Sequence, residues 1–238
     1  MKKAIVVGAS SGIGRGLAQM LAKNNYIVGI TGRRLELLDE LKSEDPDKYI
    51  VSFFDVTQSD TVAEILNALV SQLGELDLLI LSSGRGDINT TLDFAIEKQT
   101  LDVNVIGFTA VADWSFNFFE KQKFGQLAAI SSIAGIRGNR HTPSYGATKA
   151  FQINYLEGLR QKATHLKMPI VITDIRAGYI NTAIVKGDGV FWMSSLDKGV
   201  KQIYNAIQHK RSVVYVSNRW RLIAYVLKAV PRFIYNRI

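Results

Sequence analysis

The chain has 238 residues, 47% of them apolar and 21% charged, a balance that suits one globular domain and excludes disordered, collagen-like and low-complexity classes. It has no cysteine and three scattered histidines, His141, His165 and His209, which removes disulfide frameworks, thiolate zinc sites and a cysteine nucleophile and leaves no convincing metal site. The formal net charge is +8, and nine of the 29 Lys and Arg residues follow Asp197 in a stretch without Asp or Glu, so the body is near neutral, which argues against nucleic-acid binding and places the positive excess on the tail.

Along the chain, apolar β-branched runs at residues 4–7, 27–31, 50–54, 78–81, 127–130, 170–175 and 213–216 alternate with amphipathic stretches at 12–24, 35–42, 59–73, 92–121, 144–166 and 196–208. Most of the strand-like runs are continuously apolar, as parallel strands covered on both faces must be. This alternation predicts an α/β fold, a single-domain, Rossmann-like, doubly wound parallel sheet of about seven strands with helices on both faces. The expected domain spans residues 1–217, followed by a basic amphipathic helical extension at 218–238. The least regular stretch, 181–195, is where a mobile lid would belong. No run of about 18 apolar residues occurs, so no spanning helix is expected. The apolar run behind Lys2-Lys3 stops at Gly8, too early for a signal-peptide core, and the expected location is cytoplasmic.

The first strand leads directly into Gly8-Ala9-Ser10-Ser11-Gly12-Ile13-Gly14 and then a helix. Glycines let the backbone approach a pyrophosphate, and free N–H groups at the helix start attract anions. The second strand ends Gly32-Arg33-Arg34, without the carboxylate that would accept the ribose hydroxyls of NAD. A guanidinium matches a 2′-phosphate by charge and by its bidentate fork, so NADP(H) is the preferred cofactor, with NAD(H) the alternative and Arg33 favoured over Arg34. The competing reading leaves both arginines solvated at the start of the next helix.

After the fifth strand come Ser131-Ser132, and then Tyr145-Gly146-Ala147-Thr148-Lys149. Tyr145 and Lys149 are four apart and share one helix face. An ammonium near a phenol favours the phenolate, so Lys149 is expected to lower the Tyr145 pKa and fit it for acid–base work near neutral pH. Ser132 would hydrogen-bond the substrate oxygen. Taken alone, such a Tyr/Lys spacing is more often a packing pair.

The glycine spacing, the Ser132, Tyr145 and Lys149 set, and Asn104 within Leu101-Asp102-Val103-Asn104-Val105 together resemble the short-chain dehydrogenase/reductase family, with matching positions from Gly8 to Thr182. The resemblance implies hydride transfer between NAD(P)(H) and a carbonyl or alcohol. It implies that Tyr145 moves the proton, Lys149 also holds the nicotinamide ribose, and Asn104 supports a water linking Lys149 to solvent. It places Asp55 and Val56 at the adenine, the Ile180 backbone and Thr182 at the carboxamide, and Ser82, Ser83 and Gly84 beside the cofactor. Two departures stand out: Ser82-Ser83-Gly84 replaces the family's Asn-Ala-Gly, and Ala177-Gly178 its Pro-Gly. An NAD-dependent alcohol dehydrogenase and a cofactor-binding redox sensor without turnover are the alternatives, the second disfavoured because the full catalytic set is present.

Val190, Phe191, Trp192 and Met193 suggest either a hydrophobic substrate or a cover for the cofactor, weighted equally. In the tail, Leu222, Ile223, Val226, Leu227, Val230, Phe233 and Ile234 fall in one helical arc, with Arg221, Lys228 and Arg232 opposite and Pro231 dividing the helix. Such a helix suits peripheral contact with a membrane surface or packing in a homo-oligomer, dimer or tetramer, with intrachain packing the third reading.

Overall fold

The computed structural model describes residues 1–182 and 192–237. The expected lid falls largely outside them, as do Val190 and Phe191. Within the described residues one seven-stranded, all-parallel sheet is built from β1 (Lys2–Val7), β2 (Tyr26–Gly32), β3 (Tyr49–Phe53), β4 (Leu78–Leu81), β5 (Gly125–Ser132), β6 (Ile170–Ala177) and β7 (Val213–Val216). Its order is β3-β2-β1-β4-β5-β6-β7.

The continuous apolar runs have a direct cause. Alternate residues of each strand enter opposite cores of buried apolar side chains. Ile5, Val7, Leu79 and Leu81 pack with Leu66 of α3 (Val62–Leu73), Phe116 of α5 (Phe108–Gln122) and Leu156 of α6 (Pro143–His165). Ala4, Val6, Leu78 and Ile80 pack with Leu17 of α1 (Gly12–Lys23), Leu38 of α2 (Leu35–Glu44) and Ile203 of α7 (Leu196–Gln208). Each such Leu or Ile contributes about 1.5–3 kcal/mol by leaving water. The chain winds outward from β1 in one direction and from β4 in the other, so the crevice at the carboxyl ends of β1 and β4 is the switch point where ligands bind in such sheets.

One sequence expectation changes here. The stretch at 92–121 is not one helix: α4 (Phe94–Leu101) runs into a π-helical turn (Asp102–Gly107) before α5. The widened turn carries Asn104 fully buried, and Gly107 lets it lie close on the Val56 carbonyl, which a side chain there would overlap. π-turns of this kind sit mostly at functional positions. The tail is divided at Pro231, as expected, into α8 (Trp220–Ala229) and α9 (Arg232–Tyr235). Its expected apolar arc is turned outward, with Leu222, Val226, Phe233 and Ile234 exposed. Trp220 and Ala224 are buried against the domain, whereas Leu222, Tyr225 and Val226 point to solvent on the opposite side of α8.

Candidate active site

The glycine-rich turn closes over the end of β1. The Gly8 and Ala9 amides donate to the Thr31 carbonyl at 3.0 and 2.8 Å, which ties the turn to β2. Gly8 has φ +89° and Gly12 φ +57°, the left-handed region that glycine enters freely. A Cβ on Gly8 would lie 2.7 Å from the Ser83 amide nitrogen, and one on Gly14 would overlap the Gly8 carbonyl oxygen. Ser11 precedes α1 without capping it through its side chain, so the helix start presents backbone N–H groups toward the crevice. Ile13 is partly buried against the α1–α2 core. Thr182 stands across from Gly12, its Cγ2 3.5 Å from where a Cβ would be, and its hydroxyl donates to the Ile180 carbonyl at 3.2 Å.

The two arginines make different contacts. Arg34 reaches across the turn and donates to Ser10 Oγ at 2.8 Å and Ser11 Oγ at 2.7 Å. Arg33 turns toward Asp55, 4.0 Å away, and is largely exposed. The chain turns outward as α2 begins, so the second arginine, not the one nearest the strand, lies over the serines. Asp55 itself accepts from the Thr57 amide at 3.0 Å and hydroxyl at 2.9 Å, and Val56 is buried.

On the other side of the crevice, Ser82 follows β4 and its amide donates to the Val7 carbonyl at 2.8 Å. The Ser83 hydroxyl is buried without a protein partner among the described residues. A Cβ on Gly84 would lie 3.6 Å from Lys149 Nζ. Asn104 clamps the loop after β4: its Oδ1 accepts from the Arg85 amide at 2.9 Å and its Nδ2 donates to the Arg85 carbonyl at 2.7 Å and to Thr148 Oγ1 at 3.0 Å.

Ser132 ends β5, and Tyr145 and Lys149 lie on the first turns of α6. The structure brings all three together. The Ser132 hydroxyl is near enough to the Tyr145 hydroxyl to favour its ionised form, and Lys149 Nζ lies 5.8 Å from the Tyr145 ring centre. Gly86 packs on the ring; a Cβ there would be 2.7 Å from Tyr145 Cδ2. Lys149 is buried and donates to the Ile130 carbonyl at 2.8 Å and to Gln152 Oε1 at 2.9 Å.

Gln152 joins the cluster. Its Nε2 donates to the Asn104 carbonyl at 2.9 Å, so a buried amide side chain bridges the Asn104 backbone and Lys149. Sequence reading missed Gln152, although a polar residue one turn beyond Lys149 on the same buried face is the signal. It also missed Asp174, which is fully buried in β6 beside Ser131 and is paired with Arg176 at 2.7 Å; a charged residue inside an apolar strand run marks it.

The electrostatics also depart from expectation. Burial pushes the Tyr145 hydroxyl above the usual phenol range; the nearby Ser132 hydroxyl opposes this and nearby Tyr179 adds to it. Burial likewise pushes the Lys149 ammonium down to about 8, against the pull of the Asp174 carboxylate. Lys149 therefore does not hold Tyr145 low. Removing the phenolate from water outweighs an ammonium that is itself weakened by burial. The phenol is thus protonated at neutral pH.

A family model described as short chain dehydrogenase matches residues 2–189. An uncharacterized oxidoreductase of Myxococcus xanthus is 35% identical over 164 residues, which cover 67% of this chain and 65% of the relative's length, just under two thirds. Among solved structures, ElxO with NADP bound superposes with a TM-score of 0.81 at 22% identity, over 90% of this chain and 96% of that one. A Burkholderia phymatum short chain dehydrogenase/reductase in complex with NAD gives a TM-score of 0.84 at 16% identity, over 94% and 92%.

Proposed function

The chain belongs to the short-chain dehydrogenase family, and on that premise we propose that it is an NADP(H)-dependent oxidoreductase acting on a carbonyl/alcohol pair with a hydrophobic substrate portion. The observation that carries this reading is the Ser132, Tyr145 and Lys149 cluster, with its protonated phenol, beside the glycine-rich crevice.

The residues fit a dinucleotide. Gly8, Ser10, Ser11, Gly12, Ile13 and Gly14 offer an uncapped helix start to a pyrophosphate. Asp55 and Val56 stand where the adenine would lie. The orphaned Ser83 hydroxyl, with Ser82 and Gly84, lines the floor. Ile180 and Thr182 wall the nicotinamide end. When bound, the cofactor supplies or accepts the hydride. In reduction Tyr145 gives its hydroxyl proton to the carbonyl oxygen, which Ser132 orients. Two of the three Lys149 donors are held by Ile130 and Gln152, which fixes the ammonium where it steadies the phenolate left on Tyr145 and reaches a ribose hydroxyl. Asn104 keeps the loop after β4, and so Gly86, pressed on the Tyr145 ring.

Arg34 supports NADP(H) over NAD(H), because a 2′-phosphate at Ser10 and Ser11 would meet its fork. Arg34→Ala should weaken NADPH binding by about tenfold or more, as loss of a charge-assisted pair does, while changing NADH binding little. Fluorescence titration with both nucleotides checks this; equal losses would defeat the preference.

The pH dependence follows from Lys149. Its ammonium is present below about 8 and lost above it, so kcat/KM for NADPH should hold at neutral pH and fall as pH passes that value. Gln152→Leu removes an acceptor from the ammonium and should move the falling limb to lower pH. A limb unmoved by the substitution would show that Gln152 does not set the ammonium.

Leu101, Ile106 and Phe151, exposed on α4, the π-turn and α6, support packing of a second copy on that face. No described helix is long and apolar enough to cross a membrane.

A further inference from the structure

The tail is unusual in being apolar on two sides. From beneath, Trp220 and Ala224 bury against the domain, and Trp220 lies so close over Gly178 that a side chain there would overlap it. At the far end, the Tyr235 hydroxyl donates to the Gly138 carbonyl at 2.6 Å, and Arg137 lies over the Tyr235 ring at 4.4 Å. The α8–α9 pair is therefore fastened at both ends to the body, beside the loop that follows Ser132. Its other side remains in solvent: Leu222 is 69% exposed, Val226 57% and Phe233 69%, with Tyr225 and Ile234 beside them. Fixed apolar side chains held outward in this way mark a contact surface.

Charge identifies what covers it. Arg221 and Lys228 are seven residues apart and so lie on one flank of α8. Arg232 and Arg237 continue the positive charge through α9, and no Asp or Glu follows Asp197 anywhere in the segment. A two-fold contact through this face would bring the same cations of two copies together with no carboxylate of the segment to pair them. An apolar stripe bordered by cations and aromatic rings instead matches the boundary between headgroups and acyl chains of an anionic bilayer.

We propose that the outward face of α8 and α9 is a docking surface for anionic lipid bilayers, with Leu222, Val226 and Phe233 entering the interface and Arg221, Lys228 and Arg232 meeting lipid phosphates. The protein lies on the membrane through this face without spanning it. Because the same helices are fastened to the Gly138 loop, docking also fixes the orientation of the candidate active site relative to the lipid surface.

The test is co-sedimentation of the full chain with phosphatidylcholine vesicles and with vesicles containing about a third phosphatidylglycerol. The expected result is at least about tenfold stronger partitioning onto the anionic vesicles, weakened by salt. Leu222→Ser combined with Phe233→Ser should reduce this by about tenfold, as should Arg221→Glu combined with Lys228→Glu; both pairs are solvent-facing, and unchanged melting temperatures confirm that the variants fold. Equal binding to both vesicle types, no binding to either, or binding unaffected by these substitutions would overturn the proposal. So would a fall in sedimentation coefficient for the Leu222→Ser, Phe233→Ser protein without vesicle binding by the parent, since that would assign the face to a second copy.

Discussion

Tyr145→Phe should lower turnover by about 10²- to 10⁴-fold, the usual contribution of a positioned acid, while NADPH binding and melting temperature stay close to those of the parent. The substitution removes one oxygen and leaves the ring, which packs against Gly86. The lost hydroxyl is the proton source of the proposed reaction. Lys149 is occupied by Ile130 and Gln152, and Ser132 donates to the Ala177 carbonyl at 3.2 Å. Loss of the hydroxyl also spares the protein the burial of a polar group, so a stability loss is not expected to confound the rate. Steady-state rates of NADPH oxidation with a panel of hydrophobic ketones and aldehydes, alongside nucleotide titration, make the check. Turnover retained in the variant would move the proton donor elsewhere.

Gly14→Ala should abolish measurable NADPH binding at ordinary concentrations and lower the melting temperature. One methyl group is added, but it falls on the Gly8 carbonyl oxygen, with the Ser82 hydroxyl 3.2 Å away. The Gly8 oxygen belongs to backbone that is pinned by hydrogen bonds to Thr31. Relief requires α1 to move off the sheet, which opens the turn that would cradle the pyrophosphate. Overpacking of this kind costs about 1–3 kcal/mol, or roughly 2–12 °C in a domain of this size. Gly158→Ala is the internal contrast. Gly158 is exposed in the middle of α6, and a Cβ there meets nothing within 4 Å; the change should stabilise by about 0.5–1 kcal/mol and leave binding alone. Differential scanning calorimetry and nucleotide titration separate the two. Equal behaviour of the two variants would show that the turn does not depend on the Gly8–Gly14 approach.

Much of the fold was legible because its strands are buried on both faces. Residues 4–7 and 78–81 are apolar at every position, and each position meets one of the two cores. The helix starting at Gly12 and the pairing of Tyr145 with Lys149 were legible because their spacing is local. What stayed hidden depends on contacts between distant segments. The π-turn around Asn104 leaves the apolar pattern of residues 92–121 nearly unchanged and shows itself only through the Arg85 and Val56 contacts. Gln152 reads as an ordinary helix residue until the Asn104 carbonyl is brought beside it. Which of Arg33 and Arg34 reaches the serines depends on how the chain leaves β2, which composition does not encode. In the tail, the helical wheel found the apolar positions but not that Trp220 would claim the inward side, turning Leu222 and Val226 outward. The raised Tyr145 proton affinity was missed for a similar reason: the ammonium was visible in the sequence and the burial was not.

Isotope tracing tests the central claim most directly. NADPH carrying deuterium at the transferable C4 position is incubated with the protein and a hydrophobic ketone, and the product is read by mass spectrometry. The account predicts an alcohol with deuterium on its carbinol carbon. An alcohol formed without deuterium from the nicotinamide would contradict it.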